Sequence, residues 1–359
     1  MSARQAAAAL AAGMGIGRFA YTPILPLMAA QAGLTAQAGA SLATANYAGY
    51  FVGALACTAI PGLSRSQAVH RCSLVLLVAT LAAMPLTHST VVWLVLRLIA
   101  GLASALVFVI AVGARPGWGM GGIGAGIALS GLVVLAHAQW QVAWWLAAGL
   151  SALLAVGAWT LCPGTPATSA TPSADAPRRW FVALFTSYTL EGVGYIIAAT
   201  FLVAAINGPL GSGAWVLVGL AAAGSPALML LLGRRWAQTR LLPVALIIQA
   251  AGIALPALVG GPVAALVAAV LFGATFVGIA TTTLGIGAHL RVPRAASALT
   301  AGYSAGQILG PLLAAPLLHH GYHLALLLAS VIVLLGAVAA NGLRTAARPR
   351  SFTAGGTGS

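Results

Sequence analysis

Between residues 13 and 26 the chain reads Gly13-Met14-Gly15-Ile16-Gly17-Arg18-Phe19-Ala20-Tyr21-Thr22-Pro23-Ile24-Leu25-Pro26. The run is apolar, glycine-rich and broken by two prolines, yet it holds an arginine in the middle of a segment long enough to cross a bilayer. A spanning helix needs about 20 apolar residues, and residues 5–30 supply them. Placing an arginine at the centre of such a helix costs roughly 3 to more than 10 kcal/mol. The stretch therefore implies membrane helices, at least one of which faces something polar.

Composition agrees. Of 359 residues, 61% are hydrophobic and 5% charged, and the mean hydropathy is +1.02. A water-facing surface needs far more charge, so a bilayer is the expected surrounding. Twelve apolar segments can be marked, at 5–30, 39–61, 72–87, 90–113, 120–138, 141–162, 180–206, 212–233, 241–259, 263–288, 297–318 and 322–343. The net charge of +14 is carried by arginine alone, since lysine is absent. A pI of about 11.4 would suit a nucleic-acid binder, but the arginines are scattered over short loops and form no single basic face. They fall instead on alternate loops. Arg65, Arg71, Arg115, Arg178, Arg179, Arg234, Arg235, Arg240, Arg291 and Arg294 sit on one side with both tails, and the opposite loops hold none. This positive-inside pattern supports an even helix count and places both termini in the cytoplasm, as in a multi-pass protein of a bacterial inner membrane.

A Pro/Ser/Thr-rich run through Pro163, Pro166, Pro172, Asp175 and Pro177 reads as a flexible linker. It divides the chain into residues 1–162, a cytoplasmic linker at 163–179, residues 180–344, and a tail at 345–359. Features repeat across it. Gly15 and Gly17 in the first segment match Gly192 and Gly194 in the seventh at an offset of 177, as in a duplicated transporter. These glycines read as close-packing or hinge positions, and Pro23 and Pro26 are expected to bend the first helix beyond Arg18. Trp93, Trp140, Trp144, Trp145 and Trp215 lie near outer segment ends and read as interface anchors. Cys57, Cys72 and Cys162 have no metal-ligand spacing, so neither a metal nor a cofactor is expected.

Three charges remain at membrane depth: Arg18, Arg97 and Glu191. Helix rise puts each roughly 16–25 Å from the arginine-rich face, in an apolar core about 30 Å thick. Tyr21, Asn46, Tyr47, Tyr195, Tyr303 and Gln307 join them as candidate substrate or coupling residues. Charges at one depth on separate helices need a shared polar interior, which in secondary transporters is the binding cavity. Burial favours the neutral form of Glu191 and a nearby arginine favours the charged form. Movement of that neighbour would give proton coupling. A fixed pair with Arg18 or Arg97 is the competing role, and for the two arginines themselves the alternative is locking helices through backbone carbonyls. Two arginines against one carboxylate favour a polar or anionic solute.

The segments Gly15 to Met28 and Ala45-Asn46-Tyr47-Ala48-Gly49-Tyr50 resemble the YbfB/YjiJ-type family of the major facilitator superfamily. Leu190-Glu191-Gly192-Val193-Gly194-Tyr195-Ile196 and Gly306-Gln307-Ile308-Leu309-Gly310-Pro311 resemble that family's seventh and eleventh helices. The resemblance implies an all-α membrane fold of twelve transmembrane helices in two six-helix bundles, working by alternating access. It also implies a cavity near Arg18, Arg97 and Glu191, and a role in proton coupling for the Arg97–Gly101 pattern. The acidic gate loop after the second helix is missing, because residues 62–71 contain no aspartate. The function expected is a monomeric, proton-coupled secondary transporter of a small polar or anionic solute, with export as one allowed direction. A uniporter or anion exchanger with a structural Glu191, and a non-transporting membrane sensor, are the alternatives. No second carboxylate or His–Glu pair at membrane depth suggests an enzyme.

Overall fold

The computed structural model describes residues 3–114, 118–161, 178–206, 209–290, 292 and 295–343. Arg115, Cys162, Asp175, Arg291, Arg294, most of the linker and the C-terminal tail lie outside them. Among the described residues all regular structure is helical. The first apolar segment is not one helix but three pieces: α1 (Ala3–Leu10), a π-helical turn (Ala11–Ile16) and, after a non-helical turn, α2 (Tyr21–Ala32). The chain continues through α3 (Ala36–Ala59), the short α4 (Pro61–Ser64), α5 (Gln67–Ala83), α6 (Thr90–Ala114), α7 (Gly121–Ala136) and α8 (Trp140–Ala158). Beyond the linker come α9 (Arg178–Ala205), α10 (Pro209–Gly233), α11 (Gln238–Leu258), α12 (Gly261–His289), α13 (Ala295–Ala314) and α14 (Tyr322–Asn341). Among the described residues, eight helices are long and apolar enough to cross a membrane. Their outer faces carry half-exposed valines and leucines such as Val91, Val95, Val244 and Leu335. Such a surface is a liability in water and ordinary solvation in lipid.

Lipid tails are as apolar as leucine, so helices in a membrane associate through close packing of small residues. Here α3 and α6 approach at Gly49 and Gly101. A Cβ on Gly49 would run into the Leu98 carbonyl, and one on Gly101 into that of Asn46. Some hydroxyls within the helices turn back onto carbonyls four residues earlier, as Thr44 does to Ala40 and Thr58 to Ala54, so these donors are satisfied within their own helix. In the first half α3 packs on α6, and α5 on α6 and α8. In the second half α9 packs on α13 and α14, and α10 on α12. The halves meet where α7 packs on α10, α3 on α13 and α2 on α9.

The 177-residue offset recurs in these contacts. Gly15 abuts Gly126 on α7, and its offset partner Gly192 abuts Tyr303, the offset partner of Gly126. Thr22 Oγ1 donates to the carbonyl of Ala199, its own partner 177 residues on.

One expectation needs correction. Of the five tryptophans read as interface anchors, Trp93, Trp140, Trp144 and Trp215 are fully buried, and only Trp145 is exposed. Trp93 donates Nε1 to the Met84 carbonyl (3.0 Å) and meets Trp140 edge-on. Trp215 donates to Ser130 Oγ (3.2 Å). Trp144 Nε1 has no hydrogen-bond partner among the described residues, but all four indoles are packed inside the protein and do not face the interface.

Candidate functional site

The site begins at the break in the first helix. Pro23 has no N–H to give to the Phe19 carbonyl, and the Thr22 N–H turns to that carbonyl instead (3.2 Å). In a regular helix Thr22 would have served Arg18. The carbonyls of Gly17 and Arg18 are met from α6, where Arg97 Nη1 donates to Gly17 O (3.3 Å) and Nη2 to Arg18 O (3.0 Å). A cation at the C-terminal end of a helical segment also suits the backbone dipole. The break thus falls at Arg18 itself and not beyond it, with Pro23 just after it in the first turn of α2 and Pro26 inside that helix. Asn46 Nδ2 donates to the Arg97 carbonyl (2.9 Å), and the Tyr21 ring lies 4.9 Å from the Arg97 guanidinium carbon. Arg97, Asn46 and Tyr21 form one positioning cluster.

Arg18 is held differently. It is 2% exposed, and its guanidinium carbon lies 4.3 Å from the Tyr50 ring centroid and 4.8 Å from that of Tyr47. None of its three side-chain nitrogens has a hydrogen-bond acceptor in the protein. The guanidinium is held by cation–π contact with these rings and with Phe19, and its N–H groups have no acceptor among the described residues.

Glu191, on α9, is 1% exposed. Gln249 Nε2 donates to its Oε1 (3.2 Å), and Oε2 has no protein partner. The Arg18 side chain makes no hydrogen bond and the Arg97 guanidinium donates to backbone, so the alternative fixed pair between Glu191 and an arginine is not formed among the described residues. Around the carboxyl runs a ladder of near-parallel rings. Tyr188 and Tyr303 stack at 4.3 Å, Tyr303 and Tyr195 at 5.2 Å, and Tyr195 and Phe276 at 5.0 Å. Tyr195 is pinned by a hydrogen bond from Gln307 Nε2 to its hydroxyl (2.8 Å).

The ladder forms one wall of a central cavity of about 30 Å³, with Met14, Tyr50, Met120 and Ile123 opposite. By sharing Phe108, Leu284 and Thr300, this cavity leads into a vestibule of about 270 Å³ lined by Ala54, Cys57, Thr58 and Ser64. That vestibule lies at the Arg65 end of α3, toward the arginine-rich loops. On the other side the halves are latched by Thr22 to Ala199 (2.7 Å) and Tyr47 OH to Thr200 Oγ1 (2.8 Å).

Of the residues singled out in the sequence, Tyr195 and Tyr303 line the cavity. Arg18 and Tyr47 stand behind Tyr50, and Glu191 lies between Tyr188 and Tyr195 along α9. Gly15, Gly17, Gly192 and Gly194 are packing positions, where a Cβ would meet Gly126, Leu77, Tyr303 and Ala329 respectively. Tyr50, Tyr188, Gln249 and Thr200 were not anticipated. Tyr188 precedes Glu191 by one helical turn and so shares its face, a signal the spacing contains. Gln249 is a lone amide in an apolar run, which is a weaker one.

Residues 10–341 match the family described as uncharacterised MFS-type transporter YbfB. No curated protein matches. Among solved structures, a mutant of the nucleoside transporter NupG is similar, with a TM-score of 0.69 at 15% identity, over 94% of this chain and 99% of that one. At that identity the likeness concerns the fold.

Proposed function

The chain belongs to the family of the uncharacterised MFS-type transporter YbfB, and from that premise we propose a proton-coupled secondary transporter of a small polar or anionic solute. In this reading twelve helices span a bacterial inner membrane as two six-helix bundles, residues 1–162 and 180–344. Residues 163–179 link them, and both termini are cytoplasmic. The two bundles rock about the central cavity, and the described state opens toward the arginine-rich, cytoplasmic face. Arg18, Glu191 and the cavity tyrosines meet the solute or the proton. Arg97, Asn46 and Tyr21 hold the first helix in its broken form.

The observation that carries the coupling reading is the half-satisfied carboxyl of Glu191, buried among tyrosines with no counter-charge. Ionisable groups inside membrane bundles mark ion and proton pathways. The Glu191–Gln249 bond favours the rival role, in which Glu191 is a fixed structural residue of a uniporter or exchanger. Glu191→Gln in proteoliposomes separates them, with a solute found by a thermal-stabilisation panel. Coupling predicts loss of pH-gradient-driven uptake with counterflow exchange kept. Driven uptake at the wild-type rate refutes it.

A further inference from the structure

We propose that the solute is a planar aromatic ring bearing one anionic group, its ring laid against the tyrosine ladder and its charge received by Arg18. This deepens the transporter reading and rests on it.

Two independent features point the same way. The first is the ladder. Tyr188, Tyr303, Tyr195, Phe276 and Phe272 follow one another with successive interplanar angles of 16°, 13°, 14° and 0°. Aromatic pairs in a packed interior readily adopt tilted or edge-to-face arrangements, as Phe19 does with Phe276 at 85°. Five rings kept nearly parallel, four of them lining a cavity, make a surface onto which another flat ring stacks in register. The facing wall includes Met14 and Met120, whose unbranched side chains yield to fit a ligand. The cavity of about 30 Å³ has space for only about two waters in this state. A ring therefore enters from the vestibule by displacing those methionines.

The second feature is the Arg18 clamp. The guanidinium sits over the Tyr47 and Tyr50 rings, and none of its N–H groups has an acceptor among the described residues. The planar fork of an arginine matches a carboxylate edge-on through two parallel hydrogen bonds. Cation–π contact holds the guanidinium in place while its donors stay unspent, which is preorganisation for an anion. Tyr50 joins the features, since it lies against Arg18 and also lines the cavity opposite the ladder. Glu191 is unsuited to be the permanent counter-ion, because Arg18 makes no bond to it.

The test uses purified full-length protein and four probes in thermal-stabilisation and titration assays. These are 2-naphthoate and 4-hydroxybenzoate (flat anions), cyclohexanecarboxylate (an anion that is not flat) and uridine (flat and neutral). The proposal expects the two flat anions to stabilise the protein more than the others. Arg18→Gln should weaken 2-naphthoate binding by about tenfold or more, as loss of a charged hydrogen-bond pair implies. Should that variant not fold, Arg18→Lys keeps the charge without the fork and is expected to weaken binding about tenfold as well. Tyr303→Leu should narrow the gap between 2-naphthoate and cyclohexanecarboxylate. Equal stabilisation by cyclohexanecarboxylate removes the ring from the proposal, and stronger stabilisation by uridine removes the anion; either overturns it. If no aromatic anion binds while another solute shows counterflow exchange, the inference falls and the transporter reading stands. If no solute binds or exchanges, both fall.

Discussion

Replacing Arg97 with methionine is expected to loosen the first helix at its break. The variant keeps the apolar stem and removes the two donors that hold Gly17 O and Arg18 O. A hydrogen bond to a charged group contributes about 1.5–3 kcal/mol. The longer bond, at 3.3 Å, belongs near the low end, so the pair is worth about 4 kcal/mol. Removing a buried guanidinium also removes its desolvation penalty, which returns part of that sum. A net loss of about 2–3 kcal/mol follows, or roughly 5 °C in the unfolding midpoint at about 2 °C per kcal/mol for a large domain. Arg97→Lys keeps a donor that reaches one carbonyl and should lose about half as much. The assay is a thermal ramp of detergent-purified protein read by loss of the monodisperse size-exclusion peak. A methionine variant as stable as wild type would show that those carbonyls do not depend on Arg97. A lysine variant as damaged as the methionine one would show that the fork matters in some way other than counting bonds.

Three further outcomes follow from the packing. Gly101→Ala places a Cβ against the Asn46 carbonyl and should cost about 3 kcal/mol or more. Gly149→Ala, on α8 with open space around it, should be neutral or stabilising by up to about 1 kcal/mol; folded yield and unfolding midpoint compare the two, and equal effects would refute the close α3–α6 contact. Thr22→Val with Tyr47→Phe removes both latches between α2, α3 and α9, at about 1 kcal/mol each. The balance then moves by roughly 30-fold away from the described state, and maleimide labelling of the vestibule residue Cys57 should slow relative to exposed Cys72 in a Cys162→Ser background. An unchanged labelling ratio would mean that the latches do not set the conformation. Trp215→Ala should lower the midpoint, since it empties a buried indole site and frees Ser130, at about 3–5 kcal/mol. Trp145→Ala, on an exposed side chain, should change it little, and the reverse order would restore both as interface anchors.

Arg18 and Glu191 could be singled out from the chain because a charge in an apolar run is anomalous wherever it points. Arg97 was visible for the same reason, and locking onto backbone carbonyls was among its legible roles, but which carbonyls it holds was not. That work depends on two carbonyls of another helix, six and five residues before Pro23, that are reached only once α6 packs alongside. The partner of Glu191 was hidden likewise, because Gln249 comes from α11, and nothing local to α9 selects it over the arginines. The tryptophans misled because hydropathy and segment ends report depth along the membrane normal. Whether an indole faces lipid or a neighbouring helix is an angle about the helix axis, and small residues on the partner set that angle. Trp93 is buried because Met84 and Trp140 close over it.

The 177-residue offset separates scaffold from chemistry more sharply than burial does. Where the offset partners agree in kind, they make architecture. Gly15 and Gly192 both admit a neighbouring helix, and Gly101 and Gly278 are both glycine and both closely packed. The central residues differ from their offset partners. Arg18 corresponds to Tyr195, Glu191 to Met14, Tyr303 to Gly126 and Gln307 to Ser130. Of these eight residues Tyr195, Met14 and Tyr303 line the cavity, and the charged pair flanks it from opposite halves. A duplicated fold needs symmetric contacts to close and rock, which constrains the first set. Binding one asymmetric solute requires the two halves to offer different chemistry, which frees the second. Departures from a consistent pattern are expected at functional sites. Here they put the cation in one half, and the carboxyl with three rungs of the tyrosine ladder in the other. A solute with a charged edge and a flat apolar face has that same division.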